Sequence, residues 1–246
     1  MPDTTDDSLL GGRVRLLQPA RGHRAGTDAV LLASSAAVRP GQNVVDVGAA
    51  TGAVGLMAAA RVPDARYVFV ERDPTLAELC RHNVRRNGVA GTVVCADVLD
   101  RHARQAGGLA GETADLVLTN PPFLEEGRAR ISPDQGRAAA HALPAGGLAN
   151  WLGACIGLLR PKGTLVLIHR ADRLPDCLDG LRGRLGSLSV RFVHPDATQP
   201  AIRILLAGVK GSRAPMEVLP PVFLHGPDGR FTPLAEALHR GEATLS

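Results

Sequence analysis

The stretch NVVDVGAATGAVGLMAAAR, residues 43–61, decides the fold. It begins as a short apolar strand, passes through a turn rich in glycine and alanine, and continues as an apolar helix. Small residues between a strand and a helix allow a ligand to approach the backbone closely. The stretch therefore predicts the first strand, the ligand-binding turn and the first helix of a doubly wound sheet.

The following residues repeat this alternation. RYVFVE, TVVCAD, ADLVLTN and GTLVLIH are typical of strands, and PTLAELCRHNVRRNG and LANWLGACIGLL are typical of helices. SLSVRFVHP and AIRILLAGVKG predict a pair of β segments near the end, and the polar residues 124–147 predict a long loop. We therefore predict an α/β fold, with a doubly wound, mostly parallel seven-stranded sheet and antiparallel C-terminal strands.

The N-terminal region precedes this pattern. Its acidic start, MPDTTDDS, predicts a flexible tail over residues 1–12. GTDAVLLASSAAV predicts a helix, so we expect a helical cap over 13–40 on a single domain spanning 13–246. The start lacks the basic and apolar regions of a signal peptide, and no apolar run approaches the roughly 18 residues of a membrane span. We expect a cytoplasmic protein without a membrane partner.

Composition restricts the function less than the motifs do. The 246 residues are 45 % hydrophobic and 21 % charged, as in ordinary globular proteins. The net charge is +4, and 26 of the 28 basic residues are arginine, which slightly favours a nucleic-acid partner, although genome-wide composition also produces such a bias. The four cysteines are widely spaced and the eight histidines lack ligand spacing, which predicts free thiols in a reducing compartment and no metal site.

Acidic residues accompany three successive predicted strands. Asp46 lies within the first strand, Glu71 ends the second and Asp97 ends the third. A carboxylate at such a strand end commonly accepts hydrogen bonds from ribose hydroxyls, whereas each acid alone equally fits a helix cap or a solvated residue. The turn lacks the G-x-G-x-x-G spacing of a dinucleotide site, because Ala50 and Ala53 interrupt it.

Two motifs carry a resemblance to a known family. DVGAATGAVG, residues 46–55, resembles motif I of class I S-adenosylmethionine (SAM) methyltransferases, with Ala50 where the family usually has glycine. NPPF, residues 120–123, resembles the (N/D)PP(Y/F) motif of those members that methylate a planar nitrogen. The resemblance implies a Rossmann-like fold and SAM as the cofactor.

The chemistry of a planar nitrogen explains the residue types in NPPF. Conjugation delocalises the lone pair of an exocyclic amine and makes it a poor nucleophile. Two acceptors on its hydrogens favour a pyramidal nitrogen, and the Asn120 side-chain oxygen and the Pro121 carbonyl can supply them. Pro121 and Pro122 fix φ, and Phe123 can stack on a base with about 1–3 kcal/mol. The alternative is a proline-rich turn with Phe123 in the core.

A third segment narrows the family. QPARGHRAGTDAVLLAS, residues 18–34, resembles the N-terminal signature of bacterial tRNA adenine-N6 methyltransferases of the valine-tRNA type. This implies methyl transfer to N6 of an adenine in RNA, most simply tRNA. Phosphate contacts are expected from arginines beside the site, among them Arg21, Arg24, Arg128 and Arg130, although solvated arginines explain the same pattern.

The resemblance implies the following site residues. The catalytic set is Asn120, Pro121, Pro122 and Phe123. The expected cofactor-binding residues are Thr27, Asp28, Asp46, Gly48, Ala49, Ala50, Gly52, Glu71, Arg72, Asp97, Val98 and Asn120. Two alternatives stay open: a glutamine N5 methyltransferase acting on a protein such as a release factor, and a non-catalytic SAM- or RNA-binding relative. The sequence gives no indication of the oligomeric state.

Overall fold

The computed structural model describes residues 3–21, 24–122 and 147–245, together with the backbone of 124–125 and 142–143. The helices in these ranges are α1 (Thr27–Ser34), α2 (Ala53–Arg61), α3 (Pro74–Arg86), α4 (Arg101–Ala106), α5 (Gly147–Leu158), α6 (Leu174–Leu181) and α7 (Pro233–Arg240). The strands are β1 (Thr4–Leu9), β2 (Val14–Pro19), β3 (Asn43–Val47), β4 (Arg66–Glu71), β5 (Gly91–Cys95), β6 (Ala114–Thr119), β7 (Leu124–Glu125), β8 (Ala142–Leu143), β9 (Leu159–Arg170), β10 (Leu185–His194), β11 (Arg203–Lys210) and β12 (Glu217–Phe223).

Eight strands form the central sheet, in the order β12-β10-β11-β9-β6-β3-β4-β5. The strands from β9 to β5 are parallel, and β11 runs antiparallel to both of its neighbours. The predicted Rossmann-like α/β sheet with antiparallel C-terminal pairing is confirmed. The edge strand β12, which pairs in parallel with β10, adds an eighth strand to the seven expected.

Helices cover both faces of the sheet because the central strands are apolar on both sides. Val44 lies in the core under α1 and α2, whereas Val45 and Val47 lie in the core under α5 and α6. Asp46 is therefore a buried acid within an otherwise apolar strand.

The N-terminal region differs from the prediction. Residues of the expected flexible tail form β1, which pairs antiparallel with β2, so that a hairpin replaces both the tail and the first part of the helical cap. Two ion pairs hold this hairpin: Asp6 pairs with Arg15 across the hairpin and with Arg86 on α3, which is far away in the sequence. The acidic start is ordered because its charges have partners.

The cysteines of the described residues are all free; Cys80, Cys155 and Cys177 are buried and Cys95 is exposed. Among the residues described, no helix is both long and apolar enough for a membrane span. The same part of the chain contains no cluster of three or more His, Cys, Asp or Glu side chains that could hold a metal ion.

Candidate active site

The candidate active site lies at the carboxyl edge of the parallel strands. Gly48 follows β3, Glu71 ends β4, Asp97 follows β5 and Asn120 follows β6. In the sheet, β3 lies between β4 and β6: the next strands along the chain, β4 and β5, lie on one side of β3, and β6 lies on the other. The crevice between β3 and β6 is therefore the topological switch point, where ligands bind in such sheets. The topology thus brings together residues that were predicted from separate sequence motifs.

The turn after β3 needs small residues because its backbone is left-handed at three positions. Gly48, Ala50 and Gly52 have φ values of 73°, 48° and 90°. A Cβ at Gly52 would lie 2.8 Å from the Cys80 sulfur, and one at Gly48 would lie 3.1 Å from the Trp151 ring. Ala50 occupies a conformation that glycine adopts at lower cost.

Glu71 holds this turn. Its Oε2 accepts a hydrogen bond of 2.8 Å from the Ala50 N–H, and its Oε1 accepts one of 2.8 Å from the Asp73 N–H. The carboxylate therefore fixes the turn and the start of the loop after β4 at once. Each oxygen keeps a lone pair that can accept a further donor.

Asp46 supports the turn from below. Its carboxylate is buried, and Oδ2 accepts a hydrogen bond of 2.9 Å from the Gly55 N–H in α2. Burial raises its pKa to about 7; the hydrogen bond from Gly55 opposes this shift and the charge of Glu71 adds to it. In this geometry the Asp46 carboxylate contacts the backbone of α2.

Asp97 and Val98 lie beside the turn at the end of β5. Asp97 is half-buried, and its Oδ1 accepts a hydrogen bond of 2.8 Å from the Leu99 N–H, which leaves Oδ2 available to a donor such as an exocyclic amine. Val98 is buried. A fixed carboxylate next to an apolar side chain fits the edge and the face of an adenine ring.

The NPPF corner contains one hydrogen-bond acceptor that has no donor among the described residues. The Oδ1 atom of Asn120 is buried and makes no hydrogen bond within the described residues. A buried carbonyl oxygen without a donor costs free energy, so such an atom in a native structure points to a donor on a ligand. Pro121 is buried and Pro122 half-buried behind it, whereas Phe123 lies outside the described residues.

The first turn of helix α1 lies next to the start of β11. It begins at Thr27, and Asp28 in its first turn forms an ion pair of 2.9 Å with Arg203 at the start of β11. Ala49 is buried in the turn, and Arg72 is exposed immediately after β4. Direct cofactor contacts of Thr27, Asp28, Ala49 and Arg72 stay predictions.

Arg24, one of the arginines predicted as phosphate contacts, donates to Asp7 at 2.8 Å. Arg13, in the turn between β1 and β2, donates to the carbonyls of Arg240 and Gly241 at the end of α7. Arg21 is exposed. Arg128 and Arg130 lie outside the described residues.

Two buried residues at the switch point were not predicted from the sequence. Trp151 Nε1 on α5 donates a hydrogen bond of 2.9 Å to Thr119 Oγ1, and that hydroxyl donates one of 2.9 Å to the Val47 carbonyl. The buried Cys155 thiol, whose pKa burial raises to about 12, reaches the same hydroxyl. A signal existed: Thr119 immediately precedes NPPF, and Trp151 is the only tryptophan of the chain.

The residues present fit SAM. The cradle at Gly48 and Gly52 is too tight for an unstrained Cβ, and Glu71 and Asp97 offer carboxylate oxygens at the same edge of the sheet. The ribose hydroxyls and the adenine amine of SAM can donate to these acceptors.

Comparison with protein families agrees with this geometry. The family model described as "Methyltransferase small domain" matches residues 24–150. A tRNA1(Val) (adenine(37)-N6)-methyltransferase of Porphyromonas gingivalis is 35 % identical over 182 residues, which cover 72 % of this chain and 68 % of the relative.

Solved structures share the fold. A predicted O-methyltransferase of Agrobacterium tumefaciens superposes with a TM-score of 0.74 at 28 % identity and covers 89 % of this chain and 98 % of its own. TYW2 of M. jannaschii, in complex with AdoMet, superposes with a TM-score of 0.55 at 14 % identity, covering 85 % and 86 % of the two chains. At 14 % identity, the similarity to TYW2 shows the fold alone.

Proposed function

The chain belongs to the methyltransferase small domain family, and from this premise we propose that it transfers a methyl group from SAM to N6 of an adenine in tRNA. The observation that carries the choice of acceptor is the buried Oδ1 of Asn120, which has no hydrogen-bond partner among the described residues and directly follows β6. Bound SAM supplies an electrophilic methyl group on a positively charged sulfonium.

The protein's own contribution is the alignment of the nitrogen. An amine with two hydrogens can donate one to Asn120 Oδ1 and one to the Pro121 carbonyl, which favours a pyramidal nitrogen with its lone pair directed at the methyl group. Because the two prolines fix the backbone, these acceptors need little reorganisation during reaction. An alcohol has a single hydroxyl hydrogen and can donate to only one of the two acceptors, so the NPPF corner favours an amine.

The adenine must leave its base stack to reach this corner. Enzymes that modify a base in a structured nucleic acid act on an extruded or unpaired base. Phe123 directly follows the two prolines in the sequence, and we expect its ring to stack on the extruded base. The relative from P. gingivalis, which is named for adenine N6 in a valine tRNA, supports this class of acceptor.

The decisive experiment measures tritiated methyl transfer from SAM to total tRNA, followed by nucleoside analysis. We expect N6-methyladenosine with the wild-type protein and at least a hundredfold lower rate with Asn120→Ala, while SAM binding stays within about threefold, because Asn120 acts on the acceptor. Label in a release factor and none in tRNA would refute the adenine assignment in favour of glutamine.

A second variant tests the assignment of the cofactor. Asp97→Ala should weaken SAM binding by about tenfold or more and leave tRNA binding within about threefold, since Asp97 offers its free oxygen to the adenine of SAM. Isothermal titration with SAM and a filter-binding assay with tRNA measure the two affinities. Equal losses in both would contradict the assignment. A cytoplasmic location and a single domain that includes the N-terminal hairpin belong to the same proposal.

A further inference from the structure

The hydroxyl of Thr119 joins three elements of the active site. Thr119 is the last residue of β6, fully buried, and immediately precedes Asn120. Its Oγ1 accepts the indole N–H of Trp151 and donates to the Val47 carbonyl, each at 2.9 Å. Since the Val47 carbonyl can only accept and the indole nitrogen can only donate, the hydroxyl donates its proton to Val47 and accepts from Trp151.

This bond lies where the two central strands separate. Val47 and Thr119 face each other as the last paired residues of β3 and β6. Beyond this pair, one strand continues into Gly48 of the cofactor turn and the other into Asn120. The Thr119–Val47 hydrogen bond therefore joins the strands at the base of the crevice.

The same tryptophan also contacts the cofactor turn. Trp151 is buried, and its ring lies so close to Gly48 that a Cβ there would approach it to 3.1 Å. One side chain on α5 thus touches the turn on one side of the crevice and bonds to the residue before Asn120 on the other.

We propose that Thr119 and Trp151 are positioning residues that set the distance between the cofactor turn and Asn120, an inference that rests on the proposed methyl transfer. Both act through Gly48 and Asn120. The rate of methyl transfer depends steeply on how the two reactants are aligned. A displacement of about 1 Å lowers the rate on the order of a hundredfold. Removing the hydroxyl should therefore lower kcat without a matching loss of binding.

The test compares Thr119→Val, which keeps the shape of the side chain and removes its hydroxyl, with Thr119→Ser, which keeps the hydroxyl. We expect kcat for tRNA methylation to fall about 10- to 100-fold in Thr119→Val, with the SAM Kd and the KM for tRNA within about threefold, and to change less than about threefold in Thr119→Ser. SAM-binding stoichiometry from calorimetry corrects kcat for unfolded protein. An unchanged corrected kcat in Thr119→Val would overturn the inference.

A second variant covers the case in which Thr119→Val does not fold. Trp151→Phe keeps a ring against Gly48 and removes the N–H donor, and we expect its corrected kcat to fall about 3- to 30-fold at an unchanged SAM Kd. A wild-type rate in this variant would likewise overturn the proposal.

The emission of the single tryptophan separates this inference from the proposed function. Because Trp151 lies against the cofactor turn, SAM should change its fluorescence in the absence of RNA. If the wild-type protein transfers no labelled methyl group to tRNA, the proposed function fails, and tryptophan emission alone then tests the inference. A SAM-dependent change in emission that differs between wild type and Thr119→Val would then support the inference. An identical change in both proteins, or no change in the wild type, would overturn the inference.

Discussion

At the scale of single residues, Ala50 carries a cost that its neighbour Ala49 does not. Its φ of 48° is left-handed, which costs an L-residue about 1–2 kcal/mol, whereas glycine adopts it freely but loses about 0.5–1 kcal/mol of unfolded-state entropy on folding. We therefore expect Ala50→Gly to leave stability unchanged or raise it by up to about 1 kcal/mol, as measured by urea unfolding. The matched change Ala49→Gly, at a position outside the left-handed region, should lower stability; a similar loss in both variants would contradict this.

Asp46 makes stability depend on pH. Burial raises its pKa to about 7, so the folded state binds its proton more tightly than the unfolded chain, and stability falls as pH rises from about 4 to about 7. At about 1.4 kcal/mol per pH unit, the loss is on the order of 4 kcal/mol. Asp46→Asn lacks this titration, so its stability relative to wild type should increase with pH up to about 7 and then level off.

Urea unfolding between pH 5 and pH 8 measures this difference. Asp64→Asn, at an exposed aspartate, is the matched control for the loss of one carboxylate. A pH-independent difference for Asp46→Asn would mean that the carboxylate is ionised in the folded protein at all of these pH values.

At the scale of elements, two asparagines on α3 hold the N-terminal hairpin. Asn83 accepts from the Leu17 N–H at 2.8 Å and donates to the carbonyls of Leu17 and of Thr51 in the cofactor turn, at 2.8 and 2.9 Å. One helical turn later, Asn87 accepts from the Arg15 N–H at 2.8 Å and donates to its carbonyl at 2.7 Å. The two side-chain amides thus pair with alternate residues of β2 as a neighbouring strand would.

Removal of Asn83 should therefore loosen both the hairpin and the turn. Asn83→Ala removes the partner of the buried Thr51 carbonyl and of the part-buried N–H and carbonyl of Leu17. We expect a loss of about 1–3 kcal/mol, together with faster hydrogen exchange at Leu17 and weaker SAM binding. Asn87→Ala is the matched control: its contacts are more exposed, so water replaces them and the loss should be smaller. An equal or larger effect of Asn87→Ala would contradict the coupling of β2 to the turn.

These contacts explain why the sheet could be predicted from the sequence and the hairpin could not. The strands β3, β4, β5, β6 and β9 follow from local apolar runs separated by glycine and proline, and the site residues Glu71, Asp97 and Asn120 follow from their places at strand ends. The hairpin depends on Asn83, Asn87 and Arg86, more than 60 residues away in the chain, which no local pattern reveals. The bond between Trp151 and Thr119 was not predicted for the same reason, since it joins elements that are separate in the sequence.

At the scale of the whole molecule, several of the arginines that contribute to the net charge of +4 have partners within the protein. Arg13, Arg15 and Arg24 on the N-terminal hairpin and its continuation have protein partners. Arg170 and Arg173 near the end of β9 pair with Asp172 and Asp176. Further candidates for phosphate contacts are Arg128 and Arg130, which follow the NPPF motif closely in the sequence, and Arg137.

The last prediction follows from this distribution of charge. The triple variant Arg128→Gln, Arg130→Gln and Arg137→Gln should weaken tRNA binding and reduce the slope of log K against log salt by about 0.7–0.9 for each phosphate that the variant no longer neutralises, with SAM binding unchanged. Arg39, Arg66 and Arg213 are exposed at the opposite, amino-terminal edge of the sheet, and their triple change to Gln gives a control with the same net charge. Filter binding between about 50 and 200 mM salt measures both slopes. Because the two variants share one net charge, equal slopes would show that the whole field of the protein attracts tRNA, whereas a lower slope in the first alone assigns the phosphate contacts to these three arginines.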